Sequence, residues 1–123
     1  MTLLTDIDVD ALAAARADLG RVIDVTEGAL EDVVSADDDI RAAISEIEEE
    51  GPLEQSLEKA IDLCEDAVET IGDELEYVID MHQQGRIRRS TETVETVVAD
   101  LQAALSHIAE WADMAHSELR GLR

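Results

Sequence analysis

The chain has 123 residues, 31 acidic and 9 basic, for a net charge of −22, a length that defaults to one domain with a real core. With no Phe, one Tyr77 and one Trp111, that core must be built from Ala, Val, Ile and Leu, which suits closely packed helices and suits an aromatic-walled ligand pocket poorly. One proline and six glycines exclude the many turns of an all-β fold.

Thr5 followed by Asp8 forms a capping-box pattern, and Asp6, Asp8 and Asp10 place negative charge where a helix start favours it. A seven-residue rhythm then runs through Leu12, Leu19, Thr26, Val33, Ile40 and Ile47, accompanied by Ala15, Val22, Ala29, Ala36 and Ala43. Its unbroken phase predicts one long helix over about residues 6–50. Gly20 and Gly28 weaken that helix, and the stretch at 35–39, with Ser35 as a new cap, is the expected place of a kink or break. Gly51-Pro52 ends it, since Pro is tolerated in a following first turn.

The second helix, about 52–84, carries Leu57, Ile61, Cys64, Val68, Ile71, Leu75, Val78 and His82 at alternating spacings of four and three, a heptad seam. Glu58, Asp62, Glu65, Asp66, Glu69, Asp73, Glu76 and Asp80 lie on the other faces, and Gly85 is the stop. The third helix, about 90–121, is capped by Ser90 or Thr91. Its seam is Val94, Val98, Leu101, Leu105, Ile108, Ala112, Ala115, Leu119 and Leu122, widened by Val97, Ala104 and Trp111, the last a core-boundary residue.

Such seams on consecutive helices predict an all-α antiparallel bundle with coiled-coil-like packing, one domain over residues 1–123. It has three long helices, or four if the first breaks near 35–39. Unbroken, the first helix is about 65 Å long against about 45–50 Å for the others. Residues 6–18 would then overhang, exposing Ile7, Val9, Leu12 and Ala15 as an apolar stripe and hence an interface. A break removes the overhang.

The acidity has two readings: a polyanion that mimics nucleic acid, or adaptation of a whole proteome to salt. At molar salt the Debye length is about 3 Å, so a dense carboxylate surface costs little and keeps the protein soluble. A single Lys59 against eight arginines, with abundant Asp, Glu, Ala and Val, resembles in composition a cytosolic protein of a haloarchaeon or its virus. The resemblance favours salt adaptation and names no family. "MTLLTDIDVD" lacks the features of a secretory signal, and no apolar run reaches the length of a membrane span. A cytoplasmic location is expected, or a virion if the protein is viral.

Chemistry-bearing patterns are weak. Asp62/Asp66 and Glu69/Asp73 pair carboxylates on one helix face, but outside the seam, and a helical di-metal site also needs inward Glu-x-x-His pairs. His107, Glu110, Asp113 and His116 recur every three residues, a step that turns them away from one another. Cys64 falls on the seam and should be a buried, inert thiol. Glu48, Glu49 and Glu50 run straight into Gly51-Pro52, so the paired-glutamate pattern of helical nucleotide pyrophosphohydrolases is not matched. No catalytic residue, cofactor or metal is expected, and no small-molecule substrate.

"MHQQGRIRRSTE", residues 81–92, gathers Arg86, Arg88 and Arg89 around Ile87 in an otherwise acidic chain. Cations suit a helix C-terminus, so these arginines read first as electrostatic punctuation of a turn and second as a protein-contact tip. Direct nucleic-acid binding would want a broader basic face and stacking aromatics. Exposed Tyr77 is a further contact candidate. The expected function is a non-enzymatic structural or interaction module acting through protein partners, itself included, as in a subunit of a larger assembly such as a virion. The alternative is an acidic nucleic-acid mimic that inhibits a DNA- or RNA-binding protein; a small metal-dependent hydrolase is a weaker one.

Overall fold

The computed structural model describes residues 9–27, 30–50, 54–85 and 91–122, and they form an all-α bundle of four helices. These are α1 (Asp10–Thr26), α2 (Glu31–Glu50), α3 (Glu54–Gln83) and α4 (Thr91–Leu122). Each helix packs on its neighbours in chain order, and α1 closes the ring on α4, leaving α1 and α3, and α2 and α4, on the diagonals. Arg16 meets Asp37 across α1–α2, Lys59 meets Glu46 across α2–α3, and Asp18 meets His107 across α1–α4. These pairings run in opposite chain directions, so the bundle is up-down-up-down.

The first helix is not continuous, and its break is not at 35–39. Thr26 ends α1, its hydroxyl bonding back to the Val22 carbonyl at 2.8 Å, and Glu27 turns into the left-handed region at φ 56°. The Leu30 carbonyl then accepts the amides of Val33 and Val34 at 3.1 and 3.3 Å, opening α2. Residues 35–39 run through mid-helix. Reversal of direction between α1 and α2 lets Leu12, Ala15, Leu19 and Val22 bury beside α4 while Val33, Ala36, Ile40 and Ala43 bury beside α3; all eight are 0% exposed. The expected seam is therefore the buried one at every described position, but a constant phase did not require a constant direction.

In α3 and α4 the buried face is rotated from the expected seam. Leu57, Ala60, Ile61, Cys64, Ala67, Ile71, Glu74 and Val78 are buried on α3, whereas Val68 is 36% exposed. On α4 the buried set is Val94, Val97, Leu101, Ala104, Ile108, Trp111, Ala115 and Leu119. A helix at the corner of a ring has two partners, so its core face points between them. Small Ala60 and Ala67 on that face let the helices approach closely. Trp111, expected at the core boundary, is the largest of the fully buried side chains.

At 1.5 Å per residue α3 and α4 are about 45 and 48 Å long, against about 25 and 30 Å for α1 and α2. Asp32 in the first turn of α2 acts on Glu74, so the last two turns of α3 run past the α1–α2 elbow. Gly85, at φ 69°, ends this extension and donates its amide to the His82 carbonyl at 3.0 Å. Among the described residues no helix is long and apolar enough to cross a membrane.

Candidate functional site

Ile79, His82 and Gln83 on α3 and Val94, Glu95, Val98, Ala99 and Gln102 on α4 line an open groove of about 270 Å³. It lies on the outer side of the α3–α4 pair, near the end that projects beyond the elbow. The apolar strip continues along α3 through Leu75 and Val68, which recur at helical spacing with Ile79. Ile79 and Val68 are each 36% exposed, and Leu75 is half-buried. This is the flank of the α3 seam that rotation left outside the core. Ile79, Val94, Val98 and Ala99 line the groove together with His82, Gln83, Glu95 and Gln102, a mixed apolar and polar lining of the kind protein contacts use.

A polar clasp sits on the adjacent seam, between α1 and α4. The Asp18 side chain is 5% exposed; one oxygen takes a bond from Arg21 and the other lies 2.7 Å from His107 Nδ1. Arg21 also reaches Asp100 at 3.4 Å. Asp18 sits on the buried side of α1, in contact with α4, and its burial is compensated by two neighbours that can carry positive charge. Sequence reasoning missed it, because an Asp one residue before a core Leu reads as a solvated face. The one available signal was that Asp18 and Arg21 are one helical step apart.

The expected contact residues separate. Leu12 and Ala15 are fully buried in the chain's own core, and Val9 is half-buried against it. The exposed stripe that an unbroken first helix would have carried is therefore absent for these three: the elbow folds α1 back onto the bundle. Tyr77 is 55% exposed on α3. Ile7, Arg86, Ile87, Arg88 and Arg89 lie outside the described residues, as do the Thr5–Asp8 cap and Gly51-Pro52. His107 and His116, two rungs of the three-residue ladder, point to different helices: His107 to Asp18 on α1, and His116 to Glu65 on α3 at 3.7 Å. Among the described residues no three His, Cys, Asp or Glu side chains gather as a metal site. Cys64 is fully buried, and burial, with the charges of Glu65 and Asp39, pushes its thiol up to about 12.

No family model matches the chain, and neither a curated protein nor a solved structure shows significant similarity to it.

Proposed function

We propose that the chain is a non-enzymatic helical module that works through protein–protein contacts, pairing with a second copy of itself through the α3–α4 groove. The observation that carries this reading is the partly exposed strip Val68, Leu75, Ile79 and Val98, which widens into that groove. A face two helices wide, about 20 Å, and about 45 Å long offers about 900 Å², close to the roughly 800 Å² each partner buries in a standard interface. A two-fold axis across the strip sets like against like, as a self-complementary interface requires. In this reading the acidity is salt adaptation of haloarchaeal type, in a cell or a virus, and the paired module serves as a subunit of a larger assembly such as a virion.

The test is association of the wild type against Ile79→Asp by sedimentation at high salt. A self-associating wild type and a monomeric, fully helical variant support the reading; equal masses overturn it. The second reading, an acidic mimic of nucleic acid, is favoured by the exposed row Asp62, Asp66, Glu69, Asp73, Glu76 and Asp80 along α3. It predicts binding to a basic protein that weakens steeply with salt, whereas apolar pairing persists or strengthens.

A further inference from the structure

The seven-residue rhythm of the first half of the chain passes from α1 to α2 without a shift. Leu12, Leu19 and Thr26 on α1 continue as Val33, Ile40 and Ile47 on α2, and all six are buried. Ala15 and Val22 continue in the same way as Ala36 and Ala43, with Ala29 of the linking sequence in register between them. Two helices that reverse direction need no common phase, because each takes its own angle to the core. A single helix over residues 10–50 does need one.

The closed elbow carries a local cost. Glu27 sits at φ 56° and ψ 36°, the left-handed region that a residue with a Cβ disfavours, and a continuous helix would return it to the right-handed one. The linking sequence Glu27-Gly28-Ala29-Leu30 has no proline, and Gly28 is its one poor helix former. The attachment of α1 lies chiefly on α4 rather than on α2. There it buries Leu12, Ala15, Leu19 and Val22, and it joins Asp18 to His107 at 2.7 Å and Arg21 to Asp100 at 3.4 Å. Each of these contacts can be made equally by the α1 of another copy.

We infer that the chain has a second, open form in which α1 and α2 are one helix and α1 packs on α4 of a second copy, giving an exchanged dimer. The open helix, residues 10–50, is about 61 Å long at 1.5 Å per residue. Both forms bury the same faces, so the linking sequence and the protein concentration set the balance between them. Opening relieves Glu27 and costs the independence of two chains, so the closed monomer dominates at ordinary concentration. Exchange uses α1 and leaves the α3–α4 groove outside, so it does not rest on pairing through that groove.

The test is sedimentation across a concentration series after refolding the full chain in about 2 M salt, in the Ile79→Asp background so that groove pairing is absent. Gly28→Ala, which removes a glycine from each of two open helices, should raise the dimerisation constant on the order of twentyfold. Glu27→Gly, which relieves the closed chain and weakens the open helix, should lower it on the order of a hundredfold. Spin labels at Ala17→Cys and Asp38→Cys, exposed positions beside the Arg16–Asp37 bridge, read the form directly in labelled chains diluted with unlabelled ones. In the monomer the labels lie across packed neighbouring helices; in the exchanged dimer they stand about 31 Å apart along one helix. Three results would each overturn the exchange: a Gly28→Ala chain that gives no dimer, a dimer that keeps the monomer's label distance, or equal dimerisation in all three chains. Groove pairing keeps the short distance, so the two proposals fail separately.

Discussion

Asp18 and Trp111 carry the strongest predictions at the level of single residues. With the Asp18 side chain 5% exposed, removing both Arg21 and His107 leaves a buried charge uncompensated. The double substitution to Ala should cost about 3–5 kcal/mol in chemical denaturation, and adding Asp18→Asn should recover much of it. Trp111→Ala empties the largest fully buried side chain and should cost about 3–5 kcal/mol. Cys64 should react with thiol reagents only after unfolding, because the thiolate is the nucleophile and burial disfavours it; rapid labelling of the folded protein would contradict its placement. Cys64 was legible in the sequence, since its position on an apolar seam already implied burial. The burial of Glu74, 7% exposed, was not, because a glutamate in a row of acids reads as solvated.

At the scale of the helices, the core face of α1 and α2 was readable residue by residue, from Leu12 to Ile47, while the elbow between them was not. Periodicity reports which side of a helix is apolar, and the change of direction between α1 and α2 happened to keep that phase. Gly28 was the nearest local signal, and "SADDD" offered a stronger one in the wrong place: two of its three acids are paired in mid-helix, Asp37 with Arg16 and Asp38 with Arg41. Glu27 holds a left-handed conformation that glycine adopts without penalty. Glu27→Gly should therefore stabilise the fold by about 0.5–1 kcal/mol, measured as a raised denaturation midpoint; destabilisation would mean that the Glu27 side chain contributes more than its backbone costs. In α3 the rotation of the core face follows from having α2 and α4 as joint partners, which no single-helix pattern encodes. Ala67→Leu, harmless if the seam ran through Val68, should cost about 1–3 kcal/mol by overpacking.

For the whole molecule, a net charge of −22 works against compactness unless counterions screen it. In the salt-adapted reading, helicity followed by circular dichroism should be complete at about 2 M salt and decline in dilute buffer; full helicity in dilute buffer would count against it. The same charge opposes pairing of two copies, so the proposed self-association is expected in the high-salt regime where apolar contacts dominate. The most direct measurement is the solution mass by light scattering at about 2 M and about 0.1 M salt, for the wild type and for Ile79→Asp. A wild-type dimer or larger species at high salt, reduced to a helical monomer by the substitution, is the predicted result. A wild type that stays monomeric at high salt, or a variant that keeps the wild-type mass, would contradict pairing through the α3–α4 groove.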